Sequence, residues 1–232
     1  MSTINISAPI KKRMIMVFDV ETTGLLPKKQ RGSKEEIPLT NYPYIIQLSC
    51  IIYDIYEEQI VRKYDTYIKI PDTVEINETV TSLTGITKEI CNDKGKNIVE
   101  VISEFYELYM LGEVIVAHNI DFDERMIQIE LERNRSEFLE KAPFCFTIFN
   151  KTYEKLKGVD RYCTMKRGTE LCNIMVPSKI EGGNPSKKWP RLAELHEKLF
   201  GEIPLNLHDS SVDTLACLKC FLKMRHGRIM KQ

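Results

Sequence analysis

The sequence predicts an α/β domain in which a central mixed β-sheet is flanked by helices, and three observations carry that prediction. An apolar run of strand length, Met14 to Phe18, ends in an acid. Two longer runs rich in Ile, Tyr and Val follow, separated by five residues that suit a turn. After them, apolar residues recur at helical spacing around a short buried strand. A hairpin followed by alternating strands and helices requires a sheet with both antiparallel and parallel neighbours.

Taken in order, Met14-Ile15-Met16-Val17-Phe18-Asp19 is a first strand covered on both faces. Glu21-Thr22-Thr23-Gly24 is turn material, and Pro27 to Pro43 is polar, basic and without period, which predicts a mobile loop. Tyr44 to Asp54 and Ile60 to Ile70 form the hairpin around Ile55 to Gln59. Ile98, Val101, Ile102, Phe105, Leu108 and Tyr109 mark a helix, Val114 to Ala117 a strand, and Asp121 the start of a helix that turns Met126, Ile127 and Leu131 inward. Periodicity does not arbitrate Asn134 to Gly158, where Phe144 to Thr147 has strand character, as does Arg161 to Met165 further on. Pro190 in a first turn, then Leu192, Leu195, Leu199 and Phe200 before Gly201, reads as a capped helix. A last helix starts at Asp209 or Ser210 and runs into the basic stretch Lys223 to Lys231.

At 232 residues the chain suits one large domain, with 43% hydrophobic residues for its core. The expected divisions are a polar leader over 1–13, a single domain over 14–226 with a basic loop near 27–43 and an expanded region near 134–160, and a basic tail over 227–232. Lys and Arg balance Asp and Glu at 33 each, which excludes a strongly basic whole-protein field, so a polyanion must be held by local patches. No membrane segment or signal peptide is evident, and an intracellular, cytoplasmic protein is expected. Seven cysteines, an odd number, point to reduced thiols rather than a disulfide framework.

The chemistry concentrates in three acidic segments. Asp19 and Glu21 end a strand at i and i+2, so both carboxylates face one side. Asp123 lies in the first turn of a helix that follows a short strand, and strand ends and helix starts gather on one sheet edge. His208 precedes the cap of the last helix and Asp213 projects from it. Alone, each segment is ordinary solvated polar sequence. Together, Phe18-Asp19-Val20-Glu21-Thr22-Thr23-Gly24-Leu25, His118-Asn119-Ile120-Asp121-Phe122-Asp123, and His208 with Asp213 resemble, in order, the three motifs of the DEDDh family of 3′-to-5′ exonucleases. Leu83-Thr84-Gly85-Ile86-Thr87, Cys163-Thr164-Met165 and Lys188-Trp189-Pro190 extend the resemblance, which covers Met14 to His226. Gln47 departs from it, since relatives often carry Glu there.

The resemblance implies a ribonuclease-H-like fold and a metal-dependent exonuclease that releases nucleoside 5′-monophosphates from single-stranded 3′ ends, DNA being favoured. The implied catalytic set is Asp19, Glu21, Asp123, His208 and Asp213. The four carboxylates would hold two divalent ions, Mg²⁺ or Mn²⁺, and His208 would be the general base. Clustered carboxylates repel without a compensating charge, and oxygen-only ligation suits hard divalent cations. Thr22, Thr23, Gly24, Leu25, His118 and Asn119 would meet the substrate, although Leu25 or Leu26 could equally cover the core and Asn119 could cap a helix. The partner is a single-stranded nucleic-acid end, no membrane is involved, and the resemblance leaves room for a polymerase partner. An RNA-trimming exoribonuclease of the same chemistry is the alternative; a non-catalytic nucleic-acid-binding module is opposed by the intact set.

Basic clusters (Lys28, Lys29, Arg31, Lys34; Arg161, Lys166, Arg167; Lys187, Lys188; the C-terminal stretch) could hold phosphates, though such runs are usually solvated faces. Cys217, Cys220 and His226 have partial zinc spacing without a clear fourth ligand, and the two cysteines read as helix core. Trp189 could stack on a base, while a lone Trp is more often a packing anchor.

Overall fold

In the computed structural model, which describes residues 12–28, 36–178 and 182–230, the first strand is β1 (Met14–Thr22) and lies at the centre of the main sheet. It pairs antiparallel with β2 (Ile45–Asp54), which pairs antiparallel with β3 (Gln59–Tyr67), so the predicted hairpin is present. On its other side β1 runs parallel to β4 (Val114–Ala117), and β4 parallel to β5 (Asp160–Cys163), in the order β3-β2-β1-β4-β5. The mixed sheet is therefore as expected.

Alternation along β1 divides the core into two layers. Met16, Phe18 and Val20 face one layer with Ile102, Phe105 and Met126; Ile15 and Val17 face the other with Leu195, Leu218 and Phe221. Phe18 meets Phe105 edge-on at 5.4 Å and stacks on Phe149 at 5.5 Å. The first layer comes from α3 (Ile98–Leu111) and α4 (Ile120–Arg133), the second from α8 (Leu192–Phe200) and α9 (Ser210–His226).

Several segments that periodicity left open take other forms. Between β3 and α3 lie two short helices, α1 (Glu78–Thr84) and α2 (Lys88–Lys94), capped by Asn77 and Thr87, whose side chains accept from the N–H groups of Val80 and Ile90. The 134–160 region folds as α5 (Arg135–Lys141), a 3₁₀ turn (Pro143–Thr147) and α6 (Lys151–Lys157). The candidate strand Phe144 to Thr147 is thus corrected: Pro143 starts the turn, and the free edge of β4 is taken by β5 instead. Of Arg161 to Met165, only the first half is strand, because α7 (Thr164–Cys172) begins at Thr164. β6 (Met175–Val176) and β7 (Ser186–Lys187) form a separate two-stranded pair. Pro190 falls outside the first turn, since Arg191 is the N-cap of α8. Asp209 caps α9.

Residues 227–230 are not a free tail. Arg228 donates to the carbonyl of Ile55 at 2.6 Å and pairs with Glu58 at 3.3 Å, and Met230 packs on the second layer. The leader through residue 11 and the loop centre at 29–35 lie outside the described residues. The described part of that loop includes a 3₁₀ turn, Leu39–Asn41. No helix among the described residues is long and apolar enough to cross a membrane.

Candidate active site

The parallel strands β1 and β4 end on one edge of the sheet, and three segments meet there. Asp19 and Glu21 continue the stripe of Ile15 and Val17, so they face the layer built by α9. Asp213 stands in the first turn of that helix. Asp123, in the first turn of α4, is buried, and its Oδ1 accepts the backbone N–H of Val20 at 3.2 Å. That bond ties the second acidic segment to the first between its two carboxylates.

His208 sits in the loop ahead of α9 with φ at 74°, a left-handed conformation uncommon outside glycine, asparagine and aspartate. Its backbone N–H donates to both carboxylate oxygens of Asp213, at 3.3 and 3.4 Å. Donor atoms of Glu21, His208 and Asp213 lie within 4.8 Å of one another. The imidazole is exposed at the mouth of the site while the carboxylates lie deeper.

Among the described residues, the electrostatics are those of a crowded anionic cluster with no Lys or Arg side chain among the groups that shift its carboxylates. Burial, and then the neighbouring carboxylates of Asp123, Asp213 and Glu21, push the Asp19 carboxyl well above its ordinary range. Burial and Asp213 push Glu21 up to about 8. Burial likewise raises Asp123 to about 8, against the opposing bond from Val20, and Asp213 to about 6, against the bond from His208. Proteins tolerate such crowding where a cation compensates it. Oxygen donors crowded by repulsion fit hard divalent ions: Asp19, Glu21, Asp123 and Asp213 are the carboxylates that could hold them, and among the described residues the donor atoms of Glu21, His208 and Asp213 stand close enough to share one ion.

Beside the carboxylates opens a cleft of about 480 Å³, walled by Glu21, Thr22, Gly24, Leu25, Asn77, Val80, Leu83, Phe122 and His208. Leu25 is 87% exposed and Leu83 54%, so neither covers the core; Leu26 does that instead. Within the turn, the Thr22 hydroxyl donates to the Gly24 carbonyl at 2.7 Å, and Thr23 is held to Tyr44 by its N–H to Tyr44 O at 2.9 Å and by Tyr44 N–H to its Oγ1 at 3.0 Å.

The remaining sequence-predicted residues take bracing positions. Both ring nitrogens of His118 are engaged with protein, Nδ1 with Thr164 Oγ1 at 2.9 Å and Nε2 with Pro190 O at 3.0 Å, and burial lowers its pKa to about 4. Asn119 makes no side-chain cap bond; its φ of 79° places it in the left-handed region that asparagine tolerates. Cys217 and Cys220 are buried in α9, so the helix-core reading of the two cysteines holds, while His226 lies exposed at the end of the helix, edge-on to Phe221 at 5.5 Å.

Sequence reasoning missed a polar layer under the site. Gln47 and Ser49, opposite Glu21 and Asp19 in the β1–β2 register, are both buried. Ser49 Oγ lies 2.6 Å from Ser210 Oγ, Gln47 Oε1 accepts from Ser210 N–H at 3.3 Å, and both residues donate to Asp65 Oδ1, at 2.9 Å from Gln47 and 2.5 Å from Ser49. This network docks the start of α9, and with it Asp213, on β2 and β3, beside the strand that carries Asp19 and Glu21. The departure at Gln47 is its only sequence signal. A second brace is Arg133, whose Nη2 donates to the carbonyls of Tyr42 and Pro43 at 3.0 Å and whose guanidinium lies 3.7 Å over the Tyr44 ring.

Comparison with known proteins agrees with this geometry. The RNase_T family of exonucleases matches residues 16–221. PolC-type DNA polymerase III of Thermotoga petrophila is 33% identical over 118 residues, covering 51% of this chain and 7% of that protein; the Staphylococcus haemolyticus protein of the same name is 31% identical over 124 residues, with shares of 53% and 7%. The chain thus spans under a tenth of the length of these relatives. Escherichia coli exonuclease I, solved with a dA16 oligonucleotide, superposes with a TM-score of 0.61 at 21% identity over 94% of this chain and 42% of that one. Exonuclease I of Methylocaldum szegediense gives 0.59 at 21% identity, over 93% and 41%. At that identity the likeness is one of fold, and the expected ribonuclease-H-like architecture is present.

Proposed function

The chain belongs to the RNase_T family of exonucleases, and from that premise we propose that it hydrolyses single-stranded DNA from the 3′ end, one nucleoside 5′-monophosphate at a time. The observation that carries the reading is the convergence of Asp19, Glu21, Asp123 and Asp213 from three separate segments beside an open, apolar-walled cleft. DNA is favoured because the matched relatives are DNA polymerases and the fold neighbour was solved with a DNA oligonucleotide.

In this mechanism Asp19, Glu21, Asp123 and Asp213 would hold two Mg²⁺ or Mn²⁺ ions. When bound, such ions supply charge neutralisation for the carboxylates and for the attacking and leaving oxygens of an in-line displacement. The residues of the chain do the rest. Leu25 and Leu83 offer apolar contact to the terminal base, which tolerates any base. His208, at the mouth of the site, takes the proton of the attacking water. The water oxygen bonds to phosphorus as the bond from phosphorus to the 3′ oxygen breaks, and the leaving oxygen takes a proton from solvent, giving a 5′-monophosphate and a new 3′ hydroxyl. The Val20 N–H keeps Asp123 in place throughout.

End-labelled single-stranded DNA, duplex DNA and RNA of one sequence, digested side by side with Mg²⁺, test the reading. Mononucleotides from the earliest times on single-stranded DNA are expected, slowed by a 3′-terminal phosphorothioate and abolished by EDTA. Faster digestion of RNA would reassign the substrate to the RNA-trimming class, and cutting of a circular strand would refute an exonuclease.

A further inference from the structure

Trp189 is the one tryptophan of the chain and is 61% exposed, so it does not act as the packing anchor that a lone Trp commonly is. We propose that Trp189 is a stacking platform for a nucleobase upstream of the scissile bond, a second contact point on the same single strand that the carboxylate site digests. The proposal rests on the exonuclease reading above and adds where the strand runs after it leaves the cleft.

Two features support it. The first is the mounting. Pro190 follows the ring directly, and its carbonyl is bonded by His118 Nε2 at 3.0 Å, while the other ring nitrogen of His118 holds Thr164. Thr164 Oγ1 in turn lies 3.5 Å from Cys217 Sγ, and Cys217 is on α9, the helix whose first turn carries Asp213. His118 is also the residue before Asn119, at the start of the helix that carries Asp123. The backbone that presents the exposed ring is therefore fixed to the frame of the catalytic edge through a short series of contacts. On the N-terminal side, the Lys188 N–H bonds to Ile174 O at 2.9 Å, and on the C-terminal side Glu194 Oε2 accepts the Arg191 N–H at 2.8 Å. An aromatic carried on a held backbone has only its two side-chain torsions to give up when a base stacks on it.

The second is the charge beside the ring. Lys188 and Arg191 both pair with the single carboxylate of Glu194, at 2.6 and 3.3 Å, which leaves one excess positive charge flanking Trp189. An exposed ring between cations is the arrangement that binds single strands without regard to sequence, the ring meeting bases and the cations meeting phosphates.

Because no other tryptophan is present, intrinsic fluorescence reports this one ring. In an Asp213→Asn background, chosen to slow digestion, oligothymidylates of increasing length should quench the emission once they reach past the cleft, whereas thymidine 5′-monophosphate should not. In the otherwise natural chain, Trp189→Ala should raise KM for a dodecathymidylate about 5- to 150-fold, the weight of one stacked base, with kcat within about twofold of the natural chain if one upstream stack adds only uniform binding, and Trp189→Phe should restore most of the loss. Unchanged KM in Trp189→Ala, or emission indifferent to oligonucleotide length, overturns the stacking site. Hydrolysis of the p-nitrophenyl ester of thymidine 5′-monophosphate separates the two ideas. A natural chain that cleaves the ester while showing either of those results keeps the exonuclease reading and loses only the platform. A chain that cleaves neither ester nor oligonucleotide loses both.

Discussion

Replacing Glu21 by Gln should make the metal-free protein more stable at mild alkaline pH while destroying its metal response. Glu21 titrates near 8 in the folded chain, raised from an ordinary 4.5 by burial and by Asp213. The sign follows from linkage: a folded-state pKa above the unfolded one means stability is fully present below about 4.5 and is lost as pH rises through about 8. Over that window the chain must bear a carboxylate that burial and its neighbours disfavour. A shift from 4.5 to about 8 corresponds to at most about 5 kcal/mol. Partial solvent access and relief through protonation of Asp19 or Asp123 reduce this to a few kcal/mol, or roughly 5–10 °C in Tm for a domain of this size. Thermal unfolding in EDTA should therefore show Tm falling between pH 5 and pH 8 for the natural chain, with a much flatter curve for Glu21→Gln. Adding about 10 mM Mg²⁺ should restore the natural chain at pH 8 through mass action and leave the variant nearly unmoved. Equal pH dependence of the two proteins in EDTA, or a natural chain that gains stability as pH rises, would refute the account of the site as an uncompensated anionic cluster.

Two further outcomes separate roles within the site and its frame. Asp213→Ala should lose both turnover and Mn²⁺ binding in a calorimetric titration, whereas His208→Ala should bind Mn²⁺ nearly normally and lose roughly 10²–10⁴ in kcat, the range for a general base; equal metal loss in both would make His208 a ligand instead. Arg133→Ala should cost about 3–5 kcal/mol in urea unfolding because it strands the buried Glu130, 2.5 Å from Arg133, and Arg133→Ala with Glu130→Ala should recover part of that loss; simple additivity of the two would show that they are not coupled.

The hairpin, α3, β4, α4 and α9 were legible because each carries a long or strongly periodic apolar pattern that local geometry alone imposes. The short helices α1 and α2 were not, since seven residues give too few turns for a face to show, and only Asn77 and Thr87 announced them. Phe144 to Thr147 has the composition of a strand, yet a strand exists only where an edge is free to pair it, and β5 occupies that edge. Residues 227–230 look in isolation like a solvated tail, but Arg228 finds the Ile55 carbonyl on a hairpin far away in sequence.

The same division runs through the site. Residues two apart on a strand share a face, so the sequence by itself determined that Asp19 and Glu21 point to one side, and motif order told which other acids to look for beside them. Tertiary structure decided how they are held. The parallel pairing of β1 with β4 brings Asp123 under Val20, and the network of buried Gln47, Ser49 and Ser210 with the exposed Asp65 sets α9 so that Asp213 reaches Glu21. It also turned His118 inward and left Leu25 and Trp189 facing solvent. Local geometry fixes which side chains share a face over a few residues, whereas burial, charge crowding and hydrogen-bond pairing between segments a hundred residues apart exist only once the sheet has closed.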